Sequence, residues 1–174
     1  MEEKRIMIIG YSGSGKSTLA IKLGRKYKCK VLHLDCVHWL PGWKERDKSG
    51  EEAIITDFLD KNQNWVIDGN YRKRCYNRRL NEATDIIYMA FGRSICLYRV
   101  IKRYFKNRGK TRKSMTNGCE EKIDLEFIKW VLYEGRSKKH QDNYKKVCKK
   151  YHNKVTVLRN PEDVKRFCKA LGTK

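Results

Sequence analysis

Eight consecutive residues, Gly10-Tyr11-Ser12-Gly13-Ser14-Gly15-Lys16-Ser17, fit the spacing G-x-x-x-x-G-K-S in full, and Thr18 follows. A loop of this composition holds phosphate. Its glycines let the backbone curl until several N–H groups point at one anion, and the dipole of a following helix adds to the attraction. In that chemistry Lys16 reaches the β- and γ-phosphates of a nucleoside triphosphate, and the Ser17 hydroxyl takes one position on Mg²⁺. Spacing is only part of the reading, because a glycine-rich turn can arise by accident. Here the stretch begins at the end of an apolar run, Arg5 to Gly10, and leads into helical spacing from Lys16 to Tyr27. The expected ligands are ATP or GTP with Mg²⁺, held by Gly10, Ser12, Gly13, Ser14, Gly15, Lys16, Ser17 and Thr18.

Magnesium also needs an acid from a neighbouring strand. Asp68 fits, since Trp65-Val66-Ile67 precedes it and Gly69 ends the run; its alternative role is to cap the helix that follows. An acid at the carboxyl edge of a parallel sheet faces the same crevice as the phosphate loop. Asp35 closes another apolar run, Lys30 to Asp35, and His38, Trp39 and Trp43 come after it. At that place an acid can orient a hydroxyl and take its proton, or simply bind a sugar or base edge. The tryptophans suit a stacking wall or ordinary core packing. His33, Asp35 and His38 could be read as metal ligands, but no further ligand stands at suitable spacing.

From Arg93 to Lys113 the chain carries Arg93, Arg99, Lys102, Arg103, Lys106, Arg108, Lys110, Arg112 and Lys113 without one acid. Arg99 and Arg103 share a helical face. A helix leading into a basic flap at about 107–122 could close on a nucleotide and exclude water, the planar forks binding phosphate bidentately. The same segment could be a solvated helix. With Tyr98, Tyr104 and Phe105 interleaved, it could also be a nucleic-acid groove.

A regulatory GTPase is excluded by pattern. Asp47-Lys48-Ser49-Gly50 matches D-x-x-G but lies in a polar loop, and Asn153-Lys154-Val155-Thr156 lacks the aspartate that reads guanine. A motor ATPase needs a longer core. What remains is a two-substrate kinase for a nucleotide or other small molecule, or a nucleotide-gated nucleic-acid-binding protein.

The elements that must position these residues alternate. Strands are expected at Arg5 to Gly10, Lys30 to Asp35, Asn64 to Asp68, Asp85 to Ala90 and Lys154 to Leu158. Helices are expected at Lys16 to Tyr27, at Glu51 to Asp60 with Ser49 as N-cap, at Arg72 to Leu80 and at Ser94 to Lys106. A long helical stretch follows from about Asp124 to Lys150, weakened at Gly135. The last helix has Asn160 as N-cap, Pro161 in its first turn and Gly172 past its end. Such alternation predicts an α/β fold, a parallel sheet covered by helices on both faces, in one domain.

Lys and Arg number 41 against 20 acids, for a net charge of +21 and a pI near 9.8, so partners are expected to be anionic. No apolar run approaches the roughly 18 residues of a membrane helix, and no membrane partner is expected. The N-terminal Met-Glu-Glu-Lys-Arg leads into a strand without a cleavage pattern, and the seven cysteines are scattered singly, an arrangement that suits reduced thiols in a cytoplasm.

Several motifs together carry a resemblance. These are Ile6 to Ser17, His33-Leu34-Asp35 with Trp39 and Pro41-Gly42-Trp43, Trp65 to Tyr71, Arg108 to Met115, Gly118-Cys119 and Lys122 to Phe127. The chain resembles the bacterial proteins labelled DNA topology modulation protein (FlaR-related), over nearly its whole length. That family is in turn similar to adenylate kinase-like P-loop kinases. The resemblance implies a three-layer α/β/α sandwich with five parallel strands in the order 2-3-1-4-5, and adenine as the base. It implies that Asp68 is the metal-side acid, Arg72 a contact to substrate phosphate, Arg99 and Arg103 the pair before a lid, and Arg136 a further substrate arginine. Asn70 and Tyr71 depart from the D-G-F-P-R of adenylate kinases. The expected catalytic set is Lys16, Arg99, Arg103 and Asp35; the acceptor is expected against Asp35, Trp39, Arg72 and Arg136.

Overall fold

The structure, a computed structural model, describes residues 3–172. Strand β1 (Arg5–Gly10) is buried along both faces, which is why it reads as an unbroken apolar run. Around it lie β2 (Lys30–His33), β5 (Trp65–Asp68), β6 (Asp85–Met89) and β7 (Val155–Leu158). All pair in parallel in the order β2-β5-β1-β6-β7. Counting only the strands of this sheet, that is 2-3-1-4-5, as the resemblance implies. The fold is α/β, a five-stranded parallel sheet with helices packed on it.

Alternation along β1 divides the core. Ile6 and Ile8 pack with Leu19 and Leu23 of α1 (Lys16–Tyr27), with Cys96 and Val100 of α5 (Arg93–Asn107), and with Val131 of α6 (Leu125–Leu132) and Cys168 of α8 (Pro161–Ala170). Met7 and Ile9 pack with Ile55 and Leu59 of α3 (Lys48–Lys61), Leu80 of α4 (Tyr76–Glu82), and Tyr144 and Val147 of α7 (Lys138–Lys150). Each fully buried aliphatic side chain contributes about 1.5–3 kcal/mol, so the alternation settles which helix lies on which face. Asn160 caps α8, its side chain accepting from the Asp163 amide, with Pro161 in the first turn as expected.

Several elements differ from what the sequence alone suggests. The run from Lys30 does not stay extended to Asp35. Its ladder with β5 ends at His33 opposite Asp68, and the chain turns into the short helix α2 (Leu34–His38), so Asp35 sits in a first helical turn. A two-stranded hairpin, β3 (Trp39–Leu40) with β4 (Lys44–Glu45), follows. The helix expected from Arg72 begins only at Tyr76 and runs to Glu82, because Tyr71 (φ 21) and Cys75 (φ 47) take left-handed backbone. Asp47 rather than Ser49 caps α3, accepting from the Gly50 amide at 2.7 Å. The long stretch from Asp124 breaks into α6, a 3-10 turn at Glu134–Arg136, and α7. Gly135 stands at the break, where a Cβ would come within 2.9 Å of the Trp130 carbonyl oxygen. Among the described residues no helix is long and apolar enough to cross a membrane.

Candidate active site

The phosphate loop joins the carboxyl end of β1 to the amino end of α1. Gly13 (φ 79) and Gly15 (φ 97) are left-handed. A Cβ on Gly13 would lie 2.5 Å from the Cys96 carbonyl oxygen, and one on Gly15 would lie 2.5 Å from Arg99 Nη2. Gly15 is the N-cap of α1 and has no side chain to cap it, and the first turn holds no acid. Its N–H groups and the dipole are therefore free for an anion. Ser14 is fully buried and its hydroxyl has no partner among the described residues. Lys16 donates to the Gly10 and Tyr11 carbonyls, both at 3.1 Å. Enclosure of its ammonium lowers the lysine pKa, against the raising pull of Asp35 and Asp68. A curled, uncapped cradle with an enclosed lysine fits a nucleotide's phosphates.

The parallel register puts Asp68 opposite Ile8 on one side and His33 on the other. Its buried carboxylate accepts from the Ser17 hydroxyl at 2.7 Å, and its second oxygen is bonded to His33 Nδ1. A serine hydroxyl and a strand-end carboxylate in contact are a donor set that suits Mg²⁺. His38, in contrast, meets Glu51 at 2.8 Å, so His33 and His38 serve different acids.

Across the crevice, Asp35 Oδ1 accepts from the Tyr71 hydroxyl at 2.9 Å. A row of rings leads outward from there. Tyr71 lies 4.9 Å from His38, His38 4.6 Å from Trp39, and Trp39 5.4 Å from Trp43. Beneath them Glu51, 1% exposed, joins His38 to Arg74. The indoles meet edge to face within the row, so Trp39 is packed against its own neighbours.

The basic segment after α5 lies folded down on this hairpin. Thr116 donates to the Cys36 and Trp39 carbonyls, the Gly42 amide donates to the Gly118 carbonyl, and Trp43 Nε1 donates to the Glu120 carbonyl. Buried Glu121 pairs with Arg103 at 2.7 Å and with Arg112 at 2.6 Å. Burial lowers the Arg103 pKa, Arg112 adds to that, and Glu121 opposes it. Glu121 lies just beyond the acid-free run, which is why a scan for clustered arginines passes over their counter-ion.

The four sequence-expected arginines part company. Arg99 lies against Gly15 and over the Phe91 ring at 5.5 Å. Arg103 is held by Glu121 at 2.7 Å. Arg72 reaches the other rim, donating to the Lys139 carbonyl at 3.3 Å and meeting His140 Nδ1 at 3.1 Å. Arg136, 8% exposed, donates to the Val131 and Phe91 carbonyls at 3.0 Å and lies 3.8 Å over the Tyr11 ring. Ser12 accepts from Trp130 Nε1 at 3.3 Å, and Thr18 is exposed on α1. A cavity of about 320 Å³ opens beside the loop between Tyr11, Phe91, Arg93 and Arg136.

Sequence reading missed Arg79, Asn70 and Tyr71. Arg79 is wholly buried, and among the described residues no carboxylate pairs with it. It donates to the carbonyls of Gly69, Asn70, Tyr71 and Arg74, and burial brings its pKa down to about 10. The departure of Asn70 and Tyr71 from the adenylate kinase pattern was the signal for the other two.

No family model matches the chain. Among curated proteins, a tRNA dimethylallyltransferase of Flavobacterium johnsoniae is 22% identical over 180 residues, 93% of this chain and 53% of that protein. The chain thus spans about half the length of that relative. The uncharacterized protein YqaC of Bacillus subtilis is 26% identical over 136 residues, 76% of this chain and 74% of its own. Among solved structures, shikimate kinase from Acinetobacter baumannii in complex with shikimate superposes with a TM-score of 0.58 at 17% identity, covering 96% of this chain and 92% of that one. A gluconokinase from Sinorhizobium meliloti 1021 gives 0.53 at 17% identity, covering 98% and 92%. Deoxyadenosine kinase from M. mycoides with bound dATP gives 0.53 at 13%, covering 97% and 99%. The chain has the fold of the P-loop kinases.

Proposed function

We propose that this protein is an ATP-dependent phosphotransferase that phosphorylates a hydroxyl of a nucleotide or other small molecule, with Mg²⁺. One observation carries the reading: the Ser17 hydroxyl of the phosphate loop donates to Asp68 at 2.7 Å, and the turn that follows Asp68 bonds to Gly10 through Asn70 and to Asp35 through Tyr71. The phosphate loop, the metal-side acid and a candidate base therefore share one crevice. In this reading Gly10, Ser12 to Gly15, Lys16, Ser17 and Thr18 hold the triphosphate, and Ser17 and Asp68 hold Mg²⁺, which would offset charge on the phosphates. Asp35 orients the acceptor hydroxyl and takes its proton as the new O–P bond forms and the bond to the leaving diphosphate breaks. Arg99 and Arg103 neutralise charge on the transferring group, and the lid at 107–122 keeps water out. Trp39 and the rings beside it line the acceptor. Arg72 serves it from the rim and Arg136 from its buried place against Tyr11, each after leaving its present partners.

ATP turnover across nucleoside monophosphates, nucleosides and hydroxylated metabolites, shikimate and gluconate among them, tests the reading. An acceptor should raise ADP production, and Lys16→Ala should abolish the rise, by about 100-fold or more for a lost phosphate-stabilising donor. If no acceptor does so while nucleic acid stimulates hydrolysis, the reading is wrong. A second reading rests on the outer face of α5, where Tyr98 and Phe105 are 63% and 70% exposed among Lys102 and Lys106. Such a face suits single-stranded nucleic acid, with affinity that falls steeply with salt.

A further inference from the structure

The turn after β5 touches both halves of the crevice at once. The Gly69 amide, donating to the Ile8 carbonyl at 3.1 Å, is the last backbone rung between β5 and β1. Beyond it the Asn70 side chain continues the ladder. Its Oδ1 accepts from the Gly10 amide at 3.0 Å, and its Nδ2 donates to the Gly10 carbonyl at 2.9 Å. That carbonyl is one of the two on which the Lys16 ammonium rests. One residue later Tyr71 turns back through left-handed backbone, φ 21, and donates its hydroxyl to Asp35. Burial, and then the Asp35 carboxylate, raise the tyrosine pKa, so its hydroxyl stays a donor at any working pH. Arg79 grips the carbonyls of Gly69, Asn70 and Tyr71 from below and makes the turn one stiff piece.

A tyrosine in left-handed backbone is strained and persists only where its surroundings enforce it. Here the reward is that one oxygen of Asp35 is fixed and the other left for the acceptor. Accordingly, we propose that Asn70 and Tyr71 form the joint between the donor and acceptor halves: Asn70 positions the phosphate loop through Gly10, and Tyr71 positions Asp35. The two roles rest on the kinase reading above.

Calorimetry with Mg²⁺-ADP and acceptor-stimulated ATP turnover separate the halves. Asn70→Ala should weaken ADP about tenfold, the worth of a lost hydrogen-bonded pair. Asn70→Asp keeps the acceptor for the Gly10 amide and loses the donor to its carbonyl, and gives the same direction if the alanine variant fails to fold. Tyr71→Phe should bind ADP within about twofold of the parent and lower kcat about tenfold or more, with the KM for ATP unmoved. Unchanged ADP affinity in both Asn70 variants overturns the inference. So does an unchanged kcat in Tyr71→Phe, or a loss of ADP affinity there equal to that of Asn70→Ala, which is what a merely structural loop would give. If no acceptor stimulates the parent, the kinase reading fails. The joint is then read from ADP binding and from a double-mutant cycle of Tyr71→Phe with Asp35→Asn in urea unfolding. About fivefold coupling in the unfolding equilibrium supports it, and none overturns it.

Discussion

The two sides of the crevice are built in opposite ways. The proposed donor side is one continuous stretch, Gly10 to Ser17, shaped by its own backbone angles and completed by one acid, Asp68, from the neighbouring strand. The proposed acceptor side is assembled from α2, the β3-β4 hairpin, the turn after β5 and the basic segment at 107–122. It is held by long-range bonds such as Tyr71 to Asp35 and Thr116 to Trp39. A loop specified by local dihedrals tolerates change around it. A wall specified by contacts between distant segments can be moved by any one of them, which is how a common phosphate site can be joined to different acceptors.

That contrast can be broken or sharpened by substitution. The largest effect is expected on the acceptor side. Glu51→Ala removes a buried carboxylate from between His38 and Arg74, a change that costs about 3–5 kcal/mol when the partner charge is left behind. Thermal melting should fall by several degrees. Mg²⁺-ADP affinity measured below the transition should hold, and a parallel collapse of both would show that the sides are not separately built. Gly13→Ala should act the other way. Its φ of 79 and the Cys96 carbonyl 2.5 Å from the added Cβ impose about 1–3 kcal/mol of strain, so nucleotide affinity should fall about ten- to a hundredfold.

Glu121→Gln should be milder, about 1–2 kcal/mol, since the amide keeps the shape and loses the charge facing Arg103 and Arg112. Faster amide exchange confined to 107–122 is the expected sign; unchanged exchange there would remove Glu121 as the latch. The smallest effect is one of pH. Burial lowers the His140 pKa, and Arg72 and Lys139 lower it further. The unfolded chain therefore binds the proton more readily, and stability present above about pH 6.5 should decline as the pH falls below it. Arg72→Ala should lessen that decline in melts between neutral and mildly acid pH, and an unaltered slope would discount the Arg72–His140 contact.

The donor side was legible because its information is local. Glycine spacing, the apolar run before it and the helical run after it all lie within one short stretch, and Asp68 could be named because a strand end points one way. Strand order came with the resemblance. The sequence shows Asp35 but not its place in a first helical turn, since nothing in Lys30 to Asp35 shows that its ladder with β5 stops at His33 opposite Asp68. The arginines of α5 and of the basic segment after it stand out in the sequence as a charge run. Their counter-ion Glu121 was not, because pairing across 18 residues of chain leaves no periodic trace.

By itself, then, the sequence determined the parallel α/β sheet and the phosphate loop, since period, glycine placement and helix caps act over a few neighbouring residues. Tertiary structure alone decided that Asp35 faces Tyr71, that Glu121 gathers Arg103 and Arg112, and that Arg72 and Arg136 turn to His140 and Phe91. Those choices depend on which distant groups arrive at the same place, and a buried charge takes whatever partner the packing leaves within reach.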